Sequence, residues 1–186
     1  MPHPTPAHLA QLPTYDLETG ELTAVIETPK GSRNKYDYDP RYAAFRLSGV
    51  LPEGMSFPYD FGFIPSTLGD DGDPLDVLIL LDAPVVVGCV LTVRLVGVIE
   101  AEQREQDGQW TENHRLVAVA THARAHEHVQ TLDNLPPGLL DEIEAFFEQY
   151  NQLNGKAFRP TGRGGPERSR MLVERGIAAW QEEGKE

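Results

Sequence analysis

Short apolar or alternating runs fill the first two thirds of the chain. Each run is bounded by Gly, Pro, Asn or Asp, which is typical of strands separated by turns. The sixth run contains Gly97, a possible bulge position. Strands are predicted at 22–27, 33–38, 43–51, 76–82, 85–87, 89–99 and 116–120.

The pattern becomes helical after residue 133. One helical stripe contains the apolar positions 139, 140, 143, 146, 147, 150 and 153. Asn154-Gly155 is a helix-ending signal, a basic glycine-rich loop is predicted over 159–166, and a second helix over 167–180. Strands followed by helices indicate a mainly β or α+β fold, and several short strands favour a small closed barrel over a doubly wound sheet.

The length of 186 residues favours a single domain, which we place at 15–186 behind a loose arm at 1–14 containing four prolines. No apolar run approaches the ~18 residues of a membrane span. The first residues lack the basic and apolar regions of a signal peptide. Cys89 is the only cysteine, which excludes an internal disulfide and fits a reducing, cytoplasmic location.

The formal net charge of −13 makes a nucleic-acid partner unexpected, because such binding needs Lys and Arg to neutralise phosphates. A membrane partner is not expected either. A small anionic substrate remains compatible with this charge if cations cluster locally or if metal ions supply the positive charge.

Four aspartates fall within the segment 70–76, just before the apolar run 77–81. Like charges this close repel each other, and Mg²⁺, which prefers carboxylate oxygens, would relieve the repulsion. An acidic surface turn is the alternative interpretation, because Asp and Gly are common in turns.

A basic segment lies at 30–41. As a strand it places Arg33, Lys35 and Asp37 on one face and two tyrosines on the other, which suits an anion-binding wall. A solvated edge strand with a protective lysine is equally compatible with this pattern.

Taken together, these segments resemble the family I soluble inorganic pyrophosphatases over about residues 22–156. The most specific match is Asp71-Gly-Asp-Pro-Leu-Asp-Val77, which fits the family signature D-x-D-P-x-D-V. Supporting segments occur in the family's order: Gly31-Ser-Arg-Asn-Lys-Tyr36, Pro58–Pro65, Val96-Gly-Val98, Leu116-Val-Ala-Val119 and Phe146-Phe-Glu-Gln-Tyr150.

The resemblance implies a five-stranded OB-like barrel with C-terminal helices packed outside. It also implies hydrolysis of pyrophosphate with several Mg²⁺ ions, Mn²⁺ being possible, in a homo-oligomer for which a hexamer is favoured. By position, Asp71 and Asp76 resemble the direct metal ligands, and Asp73 resembles the carboxylate that helps to deprotonate the attacking water. Lys35 resembles a phosphate-binding cation and Tyr150 a hydroxyl donor to phosphate. Glu27 and Asp37 resemble carboxylates of the outer shell or of a third metal.

The chain departs from the family at several site positions. Gly49 stands where a substrate-binding arginine is expected, and Asn151 where a lysine is expected. Phe57 and Phe61 replace two tyrosines, with Tyr59 between them able to supply one hydroxyl. Asn113 replaces an acidic ligand, Arg115 replaces a lysine, and an acidic pair in a lengthened loop is to be sought among Glu102, Glu105 and Asp107.

These losses leave three hypotheses open. Arg33, Arg46, Arg115, Arg159 or Arg163 could refill the site and keep a divergent pyrophosphatase active. The chain could instead be a non-catalytic relative that binds metal or phosphate, or it could hydrolyse another phosphoanhydride, such as polyphosphate or a nucleotide.

A second candidate metal site lies in the segment 121–128. On a helix, His122 and His126 would share one face, with His128 nearby. This pattern lacks the glutamate of a hydrolytic zinc helix, and surface histidines are the preferred interpretation.

Overall fold

The computed structural model describes residues 8–106 and 108–184, and within these ranges the chain forms nine strands and two α-helices. The strands are β1 Leu22–Thr28, β2 Asn34–Asp39, β3 Ala44–Val50, β4 Asp60–Phe63, β5 Asp76–Leu80, β6 Val90–Arg104, β7 Thr111–Glu112, β8 Arg115–Ala120 and β9 Ala157–Gly164. The helices are α1 Leu139–Leu153 and α2 Pro166–Glu183.

Five strands form a closed ring in the order β1-β4-β5-β8-β6, and pairing of β6 with β1 completes it. The β5–β8 pair is parallel and the other pairs of the ring are antiparallel. Strands β1, β4 and β8 are buried along their whole length, because helices or loops cover the faces that a simple sheet would expose. The predicted fold, a five-stranded barrel with C-terminal helices, is confirmed.

Helix α1 packs its apolar stripe onto the barrel, where Ile143 and Phe147 are buried. Gly155 adopts a φ of 72°, a conformation that glycine tolerates better than other residues, and this ends the helix as predicted. Helix α2 packs against β6, and its Leu172 and Val173 are buried in the same core. Both predicted helices are therefore present.

Two predicted elements were wrong. Residues 85–87 form no strand, because the chain turns there: the Cys89 N–H donates to the Val86 carbonyl, and Gly88 has a φ of 84°. Residues 157–164 form a strand rather than a loop, because β6 continues to Arg104 and pairs with them in an antiparallel register. Pairing with a distant strand thus overrides a composition that is typical of loops.

The β6–β8 register shifts between Leu95 and Gly97, which confirms the predicted bulge. Strands β2 and β3 form a separate two-stranded hairpin in which Lys35 stands opposite Gly49.

Among the described residues, no helix has the length and apolar character that crossing a membrane would require.

The N-terminal arm proposed at 1–14 lies only partly within the described residues, since 1–7 fall outside them. In the remaining part, Ala10 packs against Val25 and Phe63. The Thr14 hydroxyl donates to the Pro65 carbonyl at 2.9 Å, so this part contacts the barrel.

Candidate active site

A cavity of about 920 Å³ lies at one end of the barrel, between the β2–β3 hairpin, the loop before β5 and the C-terminal end of α1. The five residues predicted from sequence to form a site all line it. They are Lys35, Asp71, Asp73, Asp76 and Tyr150. The chain thus brings together groups separated by up to 115 positions.

The acidic loop divides its four aspartates between two environments. The Gly69 N–H donates to the Asp73 carbonyl at 2.7 Å, and Gly72 turns the chain with a φ of 87°. In this turn Asp71, Asp73 and Asp76 line the large cavity, whereas Asp70 forms an ion pair with Arg175 of α2. Only three of the four aspartates are therefore placed to act on a ligand in the cavity.

Asp76 is held by a buried arginine. The Arg115 guanidinium lies 2.6 Å from the Asp76 carboxylate, is only 4% exposed, and contacts the rings of Phe61, Phe147 and Phe158. Burial raises the pKa of Asp76 to about 6, although Arg115 opposes this shift. One carboxylate oxygen of Asp76 is thus oriented by protein before any ligand binds.

Asp73 is a carboxylate with an increased affinity for a proton. Burial raises its pKa above the ordinary value, and repulsion from Asp71 and Asp37 adds to the increase. Lys156 and Lys35 act in the opposite direction. Asp73 therefore lies within the electrostatic reach of both carboxylates and both lysines.

Lys35 lies on β2 of the hairpin, where several oxygens surround its ammonium. Its ammonium donates one hydrogen bond to the Asp37 carboxylate and a second to the Tyr36 carbonyl, the latter at 2.9 Å. The Glu27 carboxylate lies 3.9 Å from the same ammonium. Burial alone would lower the pKa of Lys35, but the two carboxylates outweigh burial and raise it. Burial raises the pKa of Glu27 to about 7, with Lys35 opposing the shift. Lys35 is thus a charged ammonium held at the cavity surface.

An aromatic wall supports Tyr150. The Phe57 ring packs edge-on against it with centroids 5.7 Å apart, and the Phe146 ring stacks on it at 6.0 Å. Burial raises the pKa of Tyr150, so its hydroxyl stays protonated and can donate a hydrogen bond. Phe57 and Phe61 line the cavity with apolar rings, whereas Tyr59 lies outside this lining with the Lys30 ammonium 5.3 Å above its ring.

Comparison with known proteins places this arrangement in a family. The family model for inorganic pyrophosphatase matches residues 24–181. The chain belongs to the inorganic pyrophosphatase family. The resemblance predicted from the acidic motif and its neighbours is therefore confirmed.

Individual relatives in the family are similar over most of their length. The inorganic pyrophosphatase of Thermus thermophilus is 41% identical over 150 residues, which are 81% of this chain and 83% of that protein. That of Nostoc is 35% identical over 93% of this chain and 99% of the relative. The crystal structure of the Thermus thermophilus protein superposes with a TM-score of 0.84 at 38% identity, covering 94% and 99% of the two chains.

The structure shows which arginines could replace the residues missing from the family pattern. Of the five candidates, all within the described ranges, Arg115 alone lines the cavity. The others form ion pairs elsewhere: Arg33 with Glu53, Arg46 with Asp39, Arg159 with Glu102, and Arg163 with Asp141 and Glu144.

The lengthened loop contributes an amide where the family comparison predicted acids. Gln103, near the end of β6, lines the cavity and accepts a hydrogen bond from the Asn113 side chain at 3.3 Å. Glu102 pairs with Arg159, Glu105 pairs with Lys156, and Asp107 lies outside the described residues. The side chains that this loop contributes to the cavity lining in the described part, Gln103 and Asn113, are therefore uncharged.

Sequence reasoning missed Lys156, which also lines the cavity. It lies five positions after Asn151, beyond the end of α1. No motif marks it, and its place in the cavity follows from the path of the chain after the helix. The only sequence signal was its position directly after the helix-ending Asn154-Gly155 pair.

The carboxylates suit a hard cation that retains water. No set of three or more His, Cys, Asp or Glu side chains in residues 8–106 and 108–184 is arranged to hold a metal ion by itself. Mg²⁺ commonly binds through one or two carboxylates and keeps several waters, so Asp71 and Asp76 fit it.

The segment 121–128 forms turns rather than a helix, so helical spacing does not bring His122 and His126 onto one face.

Proposed function

We propose that this protein hydrolyses inorganic pyrophosphate to two phosphates in a Mg²⁺-dependent reaction. The observation that carries the proposal is the meeting of Asp71, Asp73 and Asp76 with Lys35 and Tyr150 on one cavity, in a chain that belongs to the inorganic pyrophosphatase family.

The cavity can bind a polyanion only if its own negative charge is offset. Asp71 and Asp76 would hold Mg²⁺, which when bound neutralises phosphate oxygens and acidifies the attacking water. Lys35 supplies a fixed positive charge and Tyr150 a hydroxyl donor to the same cavity. Together these groups would bind both phosphate groups of a small diphosphate.

We assign the uptake of a proton from the attacking water to Asp73, because Asp71 and Asp76 would hold the cation and the family resemblance implies this role for Asp73. Its raised pKa means that it accepts a proton more readily than an ordinary aspartate does. Arg115 holds Asp76 in one orientation. Phosphoryl transfer needs positioning and charge stabilisation rather than a covalent nucleophile, which suits this set of groups.

The test is phosphate release from pyrophosphate by the purified full chain, with and without Mg²⁺. We expect Mg²⁺-dependent release that Asp73→Asn reduces by roughly 10²-fold or more, since positioned acid–base groups contribute 10²–10⁴-fold. Asp133→Asn is the matched control, because it removes an exposed aspartate that does not line the cavity. Release by Asp73→Asn as fast as by the parent would overturn the role of Asp73.

A non-catalytic relative is the second candidate, and one observation favours it. The family pattern expects charged side chains at three positions that are uncharged in this chain, namely Gly49, Asn113 and Asn151. In addition, Arg115 already occupies one oxygen of Asp76. Calorimetric binding of pyrophosphate with Mg²⁺, without release under Mg²⁺, Mn²⁺ or Zn²⁺, would select this candidate. Faster release from polyphosphate or a nucleotide than from pyrophosphate would instead indicate another phosphoanhydride as substrate.

The resemblance also supports a proposed homo-oligomer, with a hexamer favoured. Light scattering on the purified protein tests it. A mass six times the 20.6 kDa of the chain supports a hexamer, and a mass equal to one chain contradicts any oligomer.

A further inference from the structure

Positive charge in the cavity comes from few side chains, and most of them are held tightly. Among the described residues that line it, Lys35 is bound by Asp37, Arg115 by Asp76, and Arg41 by both oxygens of Asp39. Lys156 differs from these three in the number of its partners, because its ammonium pairs with a single carboxylate oxygen. Its single ion pair is with Glu105 at 2.7 Å, and the Glu105 side chain is 62% exposed.

An ion pair this exposed contributes little, because water competes for both partners and two long side chains lose freedom to form it. Glu105 lies in the turn after β6 and does not line the cavity, whereas Lys156 does. A phosphate oxygen entering the cavity can therefore replace Glu105 as the partner of Lys156 at small cost.

The backbone places Lys156 beside the position where the family pattern expects a lysine. The Lys156 N–H donates to the Asn151 carbonyl at 2.9 Å, which folds the chain back against the last turn of α1. The Asn151 side chain is unavailable to a ligand, because the residue is 2% exposed and its amide donates to the Phe147 carbonyl at 2.8 Å. The structure thus buries the residue at 151 and presents a lysine next to it.

Lys156 is also close enough to act on the groups of the proposed reaction. Lys156 lines the same cavity as Tyr150, and its charge lowers the pKa of that hydroxyl against the raising effect of burial. Lys35 also lines this cavity and acts on Tyr150 in the same direction. A diphosphate bound in this cavity can therefore be contacted by two ammonium groups, those of Lys35 on β2 and of Lys156 directly before β9.

We propose that Lys156 is a substrate-binding residue of the pyrophosphatase site, exchanging Glu105 for a phosphate oxygen and replacing the lysine that the family pattern places at 151. This inference rests on the proposed function for the identity of the substrate. It requires no change in the metal-binding aspartates.

The experiment compares Lys156→Met with Lys156→Arg and with Lys30→Met in the full chain. Lys30→Met is the matched control, because the Lys30 ammonium lies over the Tyr59 ring outside the cavity lining. Steady-state phosphate release gives KM and kcat. Calorimetry with methylenediphosphonate and Mg²⁺ gives affinity for a diphosphate analogue that cannot be hydrolysed.

We expect Lys156→Met to raise KM and to weaken analogue binding by roughly 10- to 100-fold, which is the scale of one lost charge-assisted contact. Lys156→Arg should retain most of the affinity, and Lys30→Met should match the parent. If Lys156→Met and Lys30→Met bind the analogue as the parent does, the inference is wrong while the proposed function stands.

Failure of the proposed function has a different signature. In that case the parent itself releases no phosphate, and the calorimetric comparison still decides the role of Lys156. Weaker analogue binding by Lys156→Met alone would then support a phosphate-binding lysine in a non-catalytic relative. Equal binding by all variants, or no binding by any of them, would overturn the inference.

Discussion

Asp60 is a buried carboxylate that lies outside the lining of the proposed site. It is 1% exposed at the start of β4, and its Oδ1 accepts the N–H groups of Val85 at 3.2 Å and Lys30 at 3.4 Å. Its Oδ2 has no hydrogen-bond partner. Burial raises the pKa of Asp60 above its ordinary value of 3.8, so the folded state binds this proton more tightly than the unfolded state does.

The sign of the resulting pH dependence follows from linkage. The stability contributed by protonated Asp60 is fully present below its unfolded pKa and is lost as pH rises through the higher folded pKa. Asp60→Asn keeps the Oδ1 acceptor and removes the buried charge. We therefore expect the variant to be more stable than the parent at pH 7 by about 1 kcal/mol, with the advantage shrinking as pH falls.

Urea unfolding of both proteins between pH 4 and pH 8 measures this difference. Asp16→Asn is the opposite-sign control, because hydrogen bonds from Thr19 and Glu18 lower the pKa of Asp16 and its charged form is the favoured one. That variant should be less stable than the parent at pH 7. An Asp60→Asn protein that is less stable than the parent at pH 7 would contradict the inference that the charged form of Asp60 destabilises the folded state.

At the scale of elements, the β2–β3 hairpin carries Lys35 into the cavity and leaves an open position opposite it. Lys35 pairs with Gly49, and directly opposed residues of an antiparallel pair point to the same face. A Cβ built at Gly49 meets no atom within 4 Å, and the residue has no positive φ. The hairpin can therefore accept a large side chain on the face that lines the cavity.

Gly49→Arg would place a second cation beside Lys35. We expect KM for pyrophosphate to fall by roughly tenfold, since one charge-assisted hydrogen bond to phosphate is worth about 1.5–3 kcal/mol and part of that is lost in ordering the side chain. Gly49→Ala is the control for the loss of glycine and should leave KM unchanged. An unchanged KM in Gly49→Arg, or the same fall in Gly49→Ala, would contradict the inference that an arginine at position 49 reaches the substrate.

For the whole molecule, the net charge of −13 and the carboxylates that line one cavity lead us to expect that a divalent cation binds the folded chain in preference to the unfolded chain. A cation that binds only the folded state stabilises it by about 2.7 kcal/mol at 100 times its dissociation constant. For a chain of this size, that corresponds to an increase in Tm of roughly 5–10 °C.

We expect Mg²⁺ to raise the Tm of the parent by this amount and chelation to reverse the increase. Asp71→Asn should respond much less, because it removes one proposed ligand from the cavity. Asp133→Asn, which also removes one negative charge, should respond as the parent does. Equal responses of Asp71→Asn and the parent in thermal scans would remove Asp71 from the metal site.

Much of the fold was predictable because its signals are local. Four of the five barrel strands and both helices follow from alternation, apolar runs and turn residues that act within a few positions, whereas the short strand β4 was not predicted. Strand β9 was not predictable in this way, because its backbone pairs with the far end of β6 and its own composition is typical of a loop. The same long-range pairing extends β6 to Arg104, beyond Ile99, where the predicted strand ended.

The sequence by itself determined the family, four of the barrel strands, both helices, and the residues that its motifs carry: the aspartates at 71, 73 and 76, Lys35 and Tyr150. Only the tertiary structure decided which cations share their cavity. Arg115 reaches Asp76 because β8 lies parallel beside β5, and Lys156 enters the cavity because the chain folds back after α1. Such contacts depend on where distant backbone segments meet in space, which no local pattern of residue types encodes.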